Sequence, residues 1–171
     1  MKVAFIGNNI LNEKVNTDLL EKKVENIVEK LILEDGADEF IFGAVDGFDC
    51  LCYIVVTKLM NKYPNIRRIY VSQFANPSNK IKKWMNDYFE QCEYPLPKDE
   101  MGDKPNIKRN EIIVDKSDLI IAYYDKSDSF KFNTNVEIKF FRNGTTRMSK
   151  TKIALNYAYN NNKKLVNLFE N

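Results

Sequence analysis

Gly43, Asp46, Gly47 and Asp49 crowd into one short stretch, EFIFGAVDGFDCL, in which an apolar strand runs into a glycine-bracketed turn and then an apolar helix. α/β folds build phosphate sites this way. The glycines let the backbone approach a ligand closely, and the helix presents unpaired N–H groups at the positive end of its dipole. The backbone of Ala44 and Val45, between the glycines, would face the same ligand. Asp46 and Asp49 can accept ribose hydroxyls or assist in removing a base, and either can instead cap the helix, the simpler role for Asp49.

A second group follows later in the chain. Arg109 and Asn110 lie in a helical pattern ahead of an apolar strand, from where an arginine can reach over the strand ends and grip a phosphate in bidentate fashion. The neighbouring Glu111 and Asp115 offer it an intramolecular salt bridge instead. Were the chain an enzyme cleaving an N-glycosidic bond, Asp46 or Glu111 would serve as general acid/base or nucleophile while Arg109 held the phosphate. Asp115, Ser117 and Asp118 form a DxSD turn whose plainest role is to shape the entry to the next strand.

Composition narrows these options. The chain has 171 residues and no histidine, which removes serine–histidine and cysteine–histidine catalysis. Cys50, Cys52 and Cys92 are an odd set without zinc-ligand spacing, so they read as small apolar residues, and neither a metal nor a cofactor is called for. With 26 basic and 24 acidic residues the formal charge is +2, too balanced for a dedicated nucleic-acid binder. No apolar run reaches the roughly 20 residues that span a bilayer, and Met1 leads straight into a strand, so a cytosolic protein is expected, with no membrane partner.

Strand, polar turn and amphipathic helix alternate along the chain. The first strand covers residues 2–6, and Asn16 or Thr17 caps a helix whose apolar positions, Leu19, Leu20, Val24, Ile27, Val28, Leu31 and Ile32, recur at helical spacing up to Gly36. A strand over 39–42, a helix over 48–61 and a strand over 68–71 complete a βαβαβ unit, which implies a parallel sheet with right-handed crossovers. Residues 73–106 read as a surface excursion containing a helix around 77–90. A helix over 107–115 and the run DLIIAYY at 118–124, apolar enough for a central buried strand, come next. Residues 125–147 read as an insertion, a β-hairpin or ordered flap with its turn at Asn143-Gly144. Ser149 caps a last helix through 161, and 164–169 forms the final strand. The whole is a single-domain Rossmann-like α/β fold with a parallel sheet of about five strands.

In order and spacing, FIGNN, GADEFIFGAVDGFDCLC, YPNIRRIYV, IKRNEIIVDKSDLIIAYYD and TKIALNYAYNNNKKLVNL resemble the SLOG superfamily, most closely its YpsA-like branch. The resemblance covers nearly the whole chain except about 76–104 and 125–147. It implies a pocket for a nucleotide or nucleotide-derived ligand, in a superfamily that includes phosphoribohydrolases and the DNA-processing DprA proteins, and it supports Arg109 as a ligand contact. Two departures stand out. Ala44-Val45 replaces a further glycine, and Ser149-Lys150-Thr151 replaces Ser-Gly-Thr before the last helix. The PGGxGTxxE signature of the phosphoribohydrolases is absent, so their catalytic arginine and glutamate have no counterpart here.

Ligands in open α/β sheets sit beyond the carboxyl ends of the strands where strand order reverses, expected here between the first strand and the one at 118–124. That selects Gly7 and Asn8, the turn from Gly43 to Gly47, Tyr123 and Tyr124, and Ser149, Lys150 and Thr151. One of the two tyrosines would stack on a base while the other packs inward. Three roles follow: a module that senses or sequesters a nucleotide derivative, an N-glycosidic-bond hydrolase or transferase, and, least supported, a DprA-like contact with single-stranded DNA through NIRR and NKIKKW. A homo-oligomer built through the insertion fits any of them.

Overall fold

A computed structural model describes residues 1–8, 11, 15–74, 76–95, 104–124 and 149–169. The expected insertion at 125–147 therefore lies outside the described residues. The elements run β1 (Lys2–Gly7), α1 (Thr17–Asp35), β2 (Glu39–Phe42), α2 (Gly47–Met60), β3 (Arg67–Val71), α3 (Asn79–Tyr88), β4 (Gln91–Glu93), α4 (Pro105–Lys116), β5 (Leu119–Tyr123), α5 (Lys150–Asn160) and β6 (Lys164–Asn167). All strands among the described residues pair in parallel in the order β4-β3-β2-β1-β5-β6. The fold is the expected Rossmann-like α/β arrangement, with a sixth strand, β4, at an edge.

Strand alternation sorts the side chains between the two faces. Val3, Phe5, Phe40, Phe42, Ile121 and Tyr123 point to the side covered by α1, α2 and α3, while Ala4, Ile6, Ile41, Ile69 and Ile120 point to α4 and α5. The sheet grows in one direction from β1 to β4 and in the other from β1 to β5 and β6. Crossovers of one hand must then place their helices on opposite faces, as found. The first face is aromatic: Phe5 stacks on Phe42 at 5.1 Å between ring centroids, and Phe89 lies 5.0 Å from Tyr70.

Local chemistry sets the helix ends. Asn16 accepts a hydrogen bond from the Leu19 amide at 3.0 Å, and Gly36 closes α1 with φ 66°, a conformation that costs glycine little. Pro105 opens α4, where a missing N–H is harmless, so this helix starts earlier than its apolar periodicity predicts. β4 escapes a reading by periodicity because three residues show no alternation. It is held by pairing with β3 and by the Ser72 amide, which donates to the Glu93 carbonyl at 2.9 Å. Cys52 is fully buried in α2, and burial holds its thiol well above the usual range. No described helix is long and apolar enough to cross a membrane.

Candidate functional site

The turn between β2 and α2 is built around Asp49. Asp46 occupies the N-cap position in extended conformation, yet its carboxylate makes no capping bond. Asp49, in the first turn, reaches back and accepts a hydrogen bond from the Ala44 amide at 3.0 Å. The turn is thus tied from inside by one carboxylate while the other stays exposed at its rim. Gly47 has φ 50°, which lets the chain swing into the helix without strain.

Gly7 serves packing. A Cβ there would lie 2.5 Å from Phe48, so the glycine lets α2 seat against the end of β1. The Phe48 amide donates to the Asn8 carbonyl at 3.1 Å, and the Asn8 amide donates to the Tyr123 carbonyl at 3.1 Å. The Thr151 hydroxyl donates to the Gly7 carbonyl at 2.9 Å, and Ser149 caps α5 by accepting from the Lys152 amide at 3.1 Å. These bonds bring the amino ends of α2 and α5 to the carboxyl edge of the sheet, where their dipoles favour negative charge.

From the opposite face α4 contributes Asn106, Arg109, Asn110 and Ile113, one stripe at helical spacing. Gly43 makes room for it: a Cβ there would meet Ile113 Cδ1 at 2.5 Å and Arg109 Nε at 2.9 Å. The space left is a cleft of about 280 Å³ whose walls also include Gly7, the 43–46 turn, Tyr70, Gln73 and the start of α5.

The electrostatics are unusual for a surface cleft. Arg109 Nε and Nη2 both donate to Asn110 Oδ1, at 3.2 and 3.1 Å, and among the described residues no carboxylate forms an ion pair with it. Burial lowers its pKa, against the pull of Tyr70, Asp49 and Asp46, although an arginine remains protonated at any relevant pH. Burial also pushes Asp49 up to about 7; Arg109 and the Ala44 amide oppose that rise and Asp46 adds to it. Tyr70 is raised by burial too, with Arg109 acting in the other direction. A desolvated guanidinium held by a neutral amide keeps its capacity to pair with an anion.

Of the residues selected from sequence, the cleft gathers Gly7, Gly43, Ala44, Val45, Asp46 and Asp49 with Arg109, Asn110, Lys150 and Thr151. Asn8, Gly47 and Ser149 lie outside its lining and shape the backbone around it. Glu111 is also outside it, paired with Lys108 at 3.1 Å. Tyr123 and Tyr124 do not line it either. The Tyr123 ring is wedged between Phe48 and Phe169, each 5.6 Å away, and the Tyr124 amide donates to Asn167 Oδ1 at 3.0 Å. The cleft spans from the end of β1 and the start of α5 across to the ends of β2 and β3, with no residue of β5 in its lining. Phe5, Ile6, Tyr70, Gln73, Asn106 and Ile113 were not selected from sequence. Asn106 carries a signal, being one helical turn before Arg109, and Tyr70 and Gln73 carry the weaker one of lying near the end of a parallel strand.

The arginines of the NIRR run are occupied elsewhere. Arg67 pairs with Glu39 at 2.5 Å and Arg68 with Glu90 at 2.6 Å. In α3 the exposed Trp84 packs on Tyr88 at 5.4 Å.

No family model matches the chain. It is similar to the uncharacterized SPbeta prophage-derived protein YoqJ of Bacillus subtilis (strain 168), with 28% identity over 130 residues, 64% of this chain and 74% of that protein.

Proposed function

We propose that the chain binds a nucleotide or nucleotide-derived ligand at the carboxyl edge of its sheet, as a sensing, regulatory or sequestering module. The observation that carries this reading is Arg109: a half-buried cation in a cleft, positioned by Asn110 and without a paired carboxylate among the described residues, with two helix amino ends facing the same space. Keeping such a group out of water without a counter-ion is costly, and an anionic ligand removes that cost. The resemblance to the YpsA-like branch of the SLOG superfamily agrees with it. Isothermal titration against adenine and guanine nucleotides, ADP-ribose, NAD and cyclic dinucleotides tests it: binding by one member is expected, and no heat with any member would refute it.

The N-glycosidic-bond hydrolase or transferase is the second reading, and Asp46 favours it. This exposed carboxylate at the cleft rim is not spent on capping, so it is free to act on a sugar or base. Glu111, outside the lining and paired with Lys108, supports that mechanism less than Asp46 does. Incubating the bound nucleotide with the wild type and with Asp46→Asn decides between the two. Free base released by the wild type alone would establish the enzyme; binding without release keeps the module.

A further inference from the structure

Among the described residues three buried side-chain oxygens make no hydrogen bond: Glu39 Oε2, Glu93 Oε2 and Gln73 Oε1. The first two have ionic partners, Lys2 at 3.0 Å and Lys116 at 2.5 Å. Gln73 has none among the described residues, and it lines the cleft. A buried amide oxygen without a partner, on a side chain that is itself half-buried, is uncommon in a folded protein and calls for a reason.

Its support is rigid. Gln73 lies just past β3, between Ser72 and Phe74, and the fully buried Ser72 hydroxyl accepts from the Phe74 amide at 2.9 Å and donates to the Phe74 carbonyl at 3.1 Å. The Ser72 amide is bonded in turn to β4. The backbone is therefore pinned on both sides of a side chain that bonds nothing. A carboxamide offers one acceptor and two donors, and a half-turn about its last bond exchanges their places. The atom left unpaired is the acceptor oxygen, so the ligand group that completes it is an N–H donor, for which the exocyclic amine of adenine or cytosine serves.

We propose that Gln73 determines ligand specificity, its carboxamide engaging the amine-bearing edge of a base whose phosphate lies at Arg109. This rests on the nucleotide-binding reading above. The cleft then has two poles: a cation for the phosphate, common to all nucleotides, and an amide that selects among bases. Leaving the amide unpaired opposite a base without the amine would penalise that base, which is how polar sites discriminate.

Two matched pairs of probes test it: AMP with purine riboside 5′-monophosphate, and CMP with its 4-deamino analogue, each pair differing by the amine alone. Ribose 5-phosphate, which has no base, is the common control. In the wild type the aminated member of at least one pair should bind about tenfold tighter or more. Gln73→Met should equalise that pair and leave ribose 5-phosphate binding unchanged, which also shows that the variant is folded. Equal affinities within both pairs in the wild type, or a preference that survives Gln73→Met, would overturn the proposal while the phosphate site stands. Failure of every probe, ribose 5-phosphate included, would overturn both.

Discussion

Arg68 and Arg109 stand at opposite edges of one sheet and are treated in opposite ways. Arg68, at the amino edge, meets Glu90 through two nitrogens, at 2.6 and 3.1 Å, and its Nη1 donates to the Tyr53 and Thr57 hydroxyls at 2.9 and 2.7 Å. Four of that guanidinium's five N–H donors are answered from within the chain. Around it Glu39 takes both Lys2 and Arg67. Arg109, at the carboxyl edge, has a single amide oxygen among the described residues. Asp49 beside it is spent on a backbone amide, and Asp46 is left at the rim. Charge at the amino edge is committed to folding, while charge at the carboxyl edge is arranged and left open, which is what a ligand site requires.

The largest effect expected from this contrast is a pH dependence. Asp49 sits at about 7 in the folded protein against an ordinary 3.8, so between about pH 4 and pH 7 the native state holds a proton that the unfolded chain has released. Stability should therefore fall as pH rises through that window and level off above it, by on the order of 4 kcal/mol in total. Asp49→Asn should remove the slope, measured by chemical denaturation at pH 5 and pH 8. An unchanged slope would show that Asp49 is not desolvated. Glu90 has the opposite sign: burial raises it, but its bonds to Arg68 outweigh that and leave it below the usual range, so its contribution is lost only as pH falls further into acid.

Arg68→Met should cost about 2–3 kcal/mol in denaturant unfolding, since it removes the ionic partner of Glu90 and the donor to two hydroxyls, and should leave ligand affinity alone. Gly7→Ala should cost about 2 kcal/mol through its clash with Phe48, seen as a lower denaturation midpoint. A Gly7→Ala protein of normal stability would mean that α2 tolerates being pushed off β1. Smallest is Lys150→Ala, which removes an exposed cation at the first turn of α5 and should weaken anion binding about two- to fivefold without touching stability.

The order and type of the long elements were legible because their periodicities are strong: α1 repeats Leu20, Val24 and Val28 on one face, and β5 is buried at every position. The 43–49 turn was legible because glycine has few local reasons to recur. What escaped was chemistry that depends on where chains meet. Tyr123 sits at a strand end like a stacking residue, but only the packing of Phe48 and Phe169 shows that it faces the core. Glu111 looks as eligible as Asp46 until α4 turns it towards Lys108. Gln73 has no local pattern, because its significance is the absence of a partner in three dimensions. β4 is too short to announce itself.

The central claim, that an open cation at the carboxyl edge receives an anionic ligand, is tested most directly by thermal shift against the nucleotide panel in three proteins: wild type, Arg109→Met and Arg67→Met. The last removes an equal charge that is already paired. A native-state ligand raises the melting temperature by mass action. The account predicts a ligand-dependent rise in the wild type and in Arg67→Met, and its loss in Arg109→Met, whose melting temperature without ligand is unchanged or higher. A rise that persists in Arg109→Met, or no rise in the wild type with any nucleotide, would contradict it.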